Sequence, residues 1–317
     1  MTTMGFALSS EEHRPDDLVR YARLAEEAEF EILGVSDHFH PWTDSQGHSP
    51  FVWSVLGGIA QVTSRIEVFT AVTCPMIRTH PAIVAHAAAT TAAMMPGRFA
   101  LGVGTGEALN EHIFGDAWPR AAVRLEMLEE AIDVMRLLWQ GGEQSHEGKH
   151  YRLENARLYT LPDEEIPVWV AAGGENAATL AGRIGQALIS TSPESETVEA
   201  FRAAGGAGKP TVAQLTVCWA ADEAEARRTA HHIWPNAGIK GQLSQDLPTP
   251  AHFEQAAEMV TEDDVAEAVV CGPDPEHHVE AIQEYAKAGF SHVYIHQVGP
   301  DQEGFLRFWE SEVRPRL

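Results

Sequence analysis

Short runs of consecutive apolar residues alternate along this chain with longer stretches in which apolar residues return every three or four positions. The runs at residues 4–8, 32–36, 66–72, 98–103, 167–171, 187–190, 212–219 and 292–296 predict eight strands, most of them too continuously apolar to have a solvated face. Between them the spacing is helical. Leu18, Ala22, Ala25 and Ala28 recur on one face, and Leu125, Leu128, Ile132, Met135 and Leu138 mark a longer amphipathic helix. Punctuation agrees with the period: Pro15-Asp16-Asp17 opens the first helix, Pro96-Gly97 closes the alanine-rich helix at 81–94, and Gly289 stops the one at 275–288. Further helices are predicted at 51–62, through Leu180 and Arg183, after Asp222, and near 305–313.

Strictly alternating strands and helices imply a parallel sheet, and eight strands favour a closed (β/α)8 TIM barrel over an open doubly wound sheet. No composition break marks a linker, so residues 1–317 are expected to form one domain. Its insertions lie near 144–160, read as a β-hairpin excursion, and near 235–260, broken by Pro, Gly and Asn.

Composition narrows the function. Apolar residues make up 44% of the chain, enough for a large core, and 22 basic residues against 46 acidic ones give a net charge of -24. That balance argues against nucleic acid and against an anionic membrane surface, and it makes any polyanionic ligand harder to hold. No apolar run approaches the roughly 20 residues of a membrane span, and Met1-Thr2-Thr3-Met4-Gly5 does not open a secretion signal. Three distant cysteines (Cys74, Cys218, Cys271) suit reduced thiols in a cytoplasm. The expected partner is a small molecule.

Two strand ends carry the chemistry. The run Gly34-Val35-Ser36-Asp37-His38-Phe39-His40-Pro41-Trp42 leaves its strand into an acid, two histidines and a tryptophan, and the run from Arg98 to Glu111 leaves its strand through Gly102, Gly104 and Gly106 to Glu107. In one parallel barrel both ends open on the same face, so His38, Trp42 and Glu107 should meet in one pocket. A histidine and a carboxyl group in a dry pocket can work as an acid–base pair.

Competing motifs are weaker. His146-Glu147-Gly148-Lys149-His150 spells a zinc-protease pattern, but that mechanism needs both histidines one turn apart on a helix, and here the flanks predict a hairpin. Gly102-Val103-Gly104-Thr105-Gly106 has the wrong spacing for a dinucleotide fingerprint. His38-Phe39-His40 resembles the first ligands of a barrel metallohydrolase, yet later strand ends offer only His296, so no metal is expected and His40 reads as holding the loop. Gly173-Gly174 heads a helix whose amides suit a phosphate.

The motif at 36–42, the run Gly102 to Glu111, the stretch Arg78 to Ala85, and Ala171-Ala172-Gly173-Gly174 together resemble the deazaflavin-dependent branch of the luciferase-like superfamily. Its relevant members are F420-dependent glucose-6-phosphate dehydrogenases and secondary alcohol dehydrogenase. The resemblance implies a TIM barrel, commonly a homodimer, with coenzyme F420 in the barrel mouth. It implies His38 as the base taking the hydroxyl proton, Trp42 shaping the pocket, and Glu107 managing the proton of the ring nitrogen. Cofactor contacts would come from Asp37, Cys74, Thr105, Gly106, Asn110, Gly173 and Gly174, and a non-prolyl cis peptide behind the ring is placed at Ala71-Val72. Members specific for glucose 6-phosphate grip its phosphate with two lysines and an arginine. The aligned positions here are Glu194, Ser244 and Glu267, with Lys240 a neighbouring replacement for the middle one. The resemblance therefore implies hydride transfer between F420 and an alcohol or ketone other than glucose 6-phosphate. Its alternatives are a sugar-6-phosphate dehydrogenase and an FMN-dependent luciferase-like monooxygenase.

Overall fold

The computed structural model describes residues 2–239 and 241–317; Met1 and Lys240 lie outside the described residues. Eleven strands occur among them: β1 (Thr3–Leu8), β2 (Ile32–Val35), β3 (Glu67–Thr70), β4 (Phe99–Val103), β5 (Gln144–Glu147), β6 (Arg152–Ala156), β7 (Val168–Ala171), β8 (Ala187–Ser190), β9 (Thr211–Cys218), β10 (Val270–Cys271) and β11 (His292–Gln297). Eight of them, in the order β1-β2-β3-β4-β7-β8-β9-β11, pair in parallel, and β11 pairs back onto β1. The ring is therefore a closed (β/α)8 barrel, as expected. Every predicted strand is present within one to two residues at each end. The two-residue β10, which adds to the end of β9, was not predicted.

Period two along the strands sorts their side chains between two cores. Ala7, Ile32, Phe69, Ala100, Trp169, Ile189, Val212 and Tyr294 fill the lumen. Their neighbours, such as Phe6, Leu33, Val68, Leu101, Val170 and Ile295, face the helical layer. Phe69 lies 4.8 Å from the Trp169 ring and 5.2 Å from that of Tyr294, closing the barrel floor with an aromatic plug. This burial of nearly every strand side chain is why the strands read as continuous apolar runs.

β5 and β6 form an antiparallel hairpin, so His146 and His150 do not share a helix. Glu130 instead accepts from His146 Nε2 at 3.1 Å and from the amides of His150 and Tyr151. The 235–260 region holds short helices, Leu243–Asp246 and Pro250–Ala257, which the Pro and Gly breaks concealed. They pack over the barrel mouth, where Phe253 reaches Trp42.

One ionised group pins the opposite end of the barrel. The Glu26 carboxylate, on helix Pro15–Glu27, accepts from the amides of Arg65 at 2.6 Å, Ile66 at 2.8 Å and Ser64 at 2.9 Å. Burial opposes its ionisation, but these amides outweigh that and hold the carboxyl at about 2 against the usual 4.5. A depressed carboxyl pKa stabilises the fold above the unfolded value and loses that effect as pH falls toward the folded one. Glu26→Gln is therefore expected to lower stability by about 2–3 kcal/mol at neutral pH. In urea titrations the difference from wild type should shrink between about pH 4.5 and 2. A difference independent of pH would contradict this.

Candidate active site

Continuing the inward-facing positions past the C-terminal ends of the strands predicts the wall of the barrel mouth. The structure opens a cavity of about 1010 Å³ there, and its wall follows the register. From β3, β4 and β7 the inward positions are Ala71, Gly104, Ala171 and Gly173. From β1, β2, β9 and β11 they are Ser9, Ser36, His38, Gln214, Thr216 and His296. One half of the mouth is thus small and apolar, the other half polar. The volume sits at the upper end of the roughly 300–1,000 Å³ usual for ligand pockets.

Of the predicted residues, His38, Trp42, Glu107, Ala71, Val72, Thr105, Gly106, Gly173 and Gly174 all line this cavity. His38 and Glu107 therefore share one rim. Asn110 joins their loops. Its Oδ1 accepts the amides of Phe39 at 2.8 Å and His40 at 3.2 Å, while its Nδ2 donates to Glu107 at 3.4 Å. The peptide bond between Ala71 and Val72 is cis. His40 donates from Nδ1 to the carbonyl of Leu109 at 2.9 Å, in keeping with a loop-holding role.

Asp37, Cys74 and Asn110 do not face the cavity; they form its backing. Asp37 accepts from Thr73 Oγ1 at 2.8 Å and pairs with Arg78 at 3.0 Å, and Arg78 continues to Glu111. Burial works against the Arg78 charge, but Asp37 and Glu111 beside it raise its pKa further. Cys74 is buried, which pushes its thiol well above the usual range, with Glu111 adding to the effect. Cys74 packs where Gly106 turns: a Cβ on Gly106, at φ +67°, would sit 2.6 Å from the Cys74 sulfur.

The structure adds a residue that the sequence reading missed. Glu11, just beyond β1 and buried, lies 3.3 Å from His38 Nε2. Ser36 Oγ at 2.7 Å and Ser9 Oγ at 2.9 Å both donate to it. Burial alone would raise the Glu11 carboxyl, but His38 and then the two hydroxyls hold it below its ordinary value. His38 Nδ1 lies 3.2 Å from the carbonyl of His40, an acceptor only, so that nitrogen carries a proton. Nε2 faces the ionised carboxylate, so a proton on that nitrogen is stabilised. Trp42 packs 4.9 Å from the His38 ring. The one available signal was position: Glu11 follows Ser9 by two residues on the inward register.

The positions aligned with a phosphate grip, Glu194, Ser244 and Glu267, are absent from the wall. Thr191, Gln245 and Ala268 stand beside them in it, and Lys240 lies outside the described residues. Arg124, which is buried, lines the cavity, but its guanidinium donates to the Pro119 carbonyl and to Gln245, and it stacks on Trp118.

The small half of the wall accepts a flat ring. A Cβ on Gly104 would lie 2.8 Å from Val72, whereas Gly173 and Gly174 face open space, with no atom within 4 Å of a Cβ built there. These features fit a flat cofactor, which Ala71, Val72, Gly104, Gly173 and Gly174 would hold.

Comparison with known proteins agrees with this geometry. The family model described as luciferase-like monooxygenase matches residues 1–292. The chain is 35% identical to an F420-dependent glucose-6-phosphate dehydrogenase of Microbacterium testaceum, over 99% of this chain and 96% of the relative. It is 36% identical to the enzyme of the same name from Segniliparus rotundus, over 99% and 97%. Among solved structures, an F420-dependent secondary alcohol dehydrogenase in complex with an F420-acetone adduct superposes with a TM-score of 0.91 at 30% identity, covering 99% of this chain and 98% of that one.

Proposed function

This chain belongs to the luciferase-like monooxygenase family, and from that premise we propose that it is an F420-dependent oxidoreductase acting on the CH–OH group of an uncharged alcohol, or on the matching ketone. The observation that carries the reading is the split mouth of the barrel. A flat wall of Ala71, Val72, Gly104 and Gly173 faces a polar wall on which His38 stands against Glu11.

When bound, F420 supplies a two-electron hydride acceptor or donor. The protein supplies the protons. As the carbinol carbon gives up its hydrogen with the bonding electron pair, His38 takes the hydroxyl proton at Nε2, and Glu11 stabilises the resulting imidazolium. Glu107, steered by Asn110, provides the second proton at the cofactor side. Trp42 lines the mouth and packs against Phe253 of the short helix Pro250–Ala257, which fixes its ring there. Asp37, Cys74 and Asn110 act by fixing the wall rather than by touching the reacting atoms. The wall positions Thr191, Gln245 and Ala268 supply no cation for a phosphate, which is why an uncharged substrate is preferred to a sugar phosphate.

Reduced thiols and the family's chemistry support a cytoplasmic enzyme, and the exposed rings of Phe39, Phe51 and Phe114 support a homodimer that covers them. Light scattering on the purified chain tests the dimer.

Fluorescence titration tests the cofactor directly. F420 is expected to bind at micromolar concentration or below, with FMN much weaker; tight FMN binding without F420 binding would overturn the proposal. Gly173→Val should cost at least about tenfold in F420 affinity, because its side chain enters the open space. The same change should leave the melting temperature close to wild type, since no atom crowds that position.

A further inference from the structure

Behind the cavity wall lies a buried charged group that the reaction does not touch. The side chains of Arg78, Asp37 and Glu111 are 7%, 3% and 0% exposed. They come from three successive loops. Asp37 follows β2, Arg78 follows β3, and Glu111 ends the short helix Ala108–Glu111 that follows β4. These same loops carry His38, the cis Ala71-Val72 peptide and Glu107 to the barrel mouth.

Arg78 is the piece common to all three. Its Nη2 donates to Asp37 Oδ1 at 3.0 Å and to the Asp37 carbonyl at 3.3 Å, one residue before His38. Its Nε faces Glu111 Oε1 at 3.5 Å, and Glu111 Oε2 accepts the amides of Arg78 at 2.8 Å and Ile77 at 3.2 Å. Thr73, on the same loop as Arg78, donates from Oγ1 to Asp37 Oδ2 at 2.8 Å. Glu111 in turn backs the wall: a Cβ on Gly106 would lie 3.2 Å from its Cγ. One planar guanidinium reaches two carboxyl groups in fixed directions, which a single ammonium does not. Asn110 joins the first and third loops; Arg78 joins all three.

The charges point the same way. Burial is the main reason that the Glu111 carboxyl stands above its usual range; the Arg78 amide and guanidinium pull it down, and Glu107 pushes it up. Arg78 thus offsets the repulsion between the carboxyl group behind the wall and the one that lines the cavity.

We propose that Arg78 is a positioning residue for the reaction: by bridging Asp37 to Glu111 it holds the loops of His38, of the cis peptide and of Glu107 in one arrangement. The reaction it serves rests on the oxidoreductase reading above, which this deepens.

Arg78→Lys keeps the charge and breaks the bridge. Deuterium exchange in the cofactor-free variant should rise in residues 36–40, 71–78 and 104–111 together and stay at the wild-type level in β8 and β9. With F420 and cyclohexanol, kcat should fall by about 10–100-fold and the Kd for F420 should rise by about tenfold, while KM for the alcohol changes little. Glu111→Gln removes the charge at the other end of the bridge and serves as the second variant if Arg78→Lys does not fold; it should act in the same direction, by less. In the double variant the losses should not add, because both changes cut one bridge. Exchange that rises throughout the barrel, or only beside residue 78, would overturn the inference. So would additive losses, or unchanged kcat and F420 affinity. Failure of wild type to bind F420 would overturn the oxidoreductase reading, and the exchange pattern would still decide whether Arg78 holds the three loops.

Discussion

His38→Ala is expected to lower kcat by about 10²–10⁴-fold, the range of a positioned general base, while F420 still binds. The reasoning is local. His38 faces the cavity with Nδ1 committed to the His40 carbonyl, so Nε2 is the nitrogen that can take the substrate proton. The flat wall that would hold the cofactor belongs to β3, β4 and β7 and contains no atom of His38. Stopped-flow turnover and fluorescence titration separate the two effects. A variant that keeps its turnover would remove His38 from the role of base.

The second large effect belongs to Glu11. Glu11→Gln keeps shape and a hydrogen-bonding oxygen but removes the charge that faces the protonated ring. We expect kcat to fall by about 10–100-fold, with KM and cofactor affinity little changed. Combining it with His38→Ala should cost no more than His38→Ala alone, because Glu11 acts through the imidazole. A purely structural role would lower both variants' stability and give additive losses, and calorimetry alongside the kinetics tells these apart. Because Glu11 is held below its usual 4.5, its charge and the assistance it gives persist into mildly acid solution. They are lost only as pH falls through that depressed value.

The barrel itself was legible because its strands are buried on both sides: runs such as Ile32–Val35 and Ala187–Ser190 have no polar face to confuse the period. The site was legible where glycines and titratable groups cluster at strand ends, as at His38 and Glu107. Glu11 was not, because it follows a short strand without a glycine break and reads as one acid among the 46 acidic residues. Its meaning comes from His38 and Ser36, 27 and 25 positions away, which only the pairing of β1 with β2 brings beside it. His296 was noted only as an insufficient metal ligand, since its partner Glu12 is nearly a whole chain away. Asp37 and Cys74 carry recognisable motifs, yet whether such a residue faces the cavity or backs it depends on neighbours such as Arg78. The helices Leu243–Asp246 and Pro250–Ala257 were hidden because four and eight residues leave too little periodicity to read.

The most direct measurement is a single turnover without oxygen. The protein is mixed with oxidised F420 and a secondary alcohol, cyclohexanol, deuterated at its carbinol carbon. The account predicts bleaching of the F420 absorbance, one equivalent of cyclohexanone, and one deuterium recovered in the reduced cofactor. F420 that stays oxidised, or product that forms only with FMN and oxygen, would contradict it.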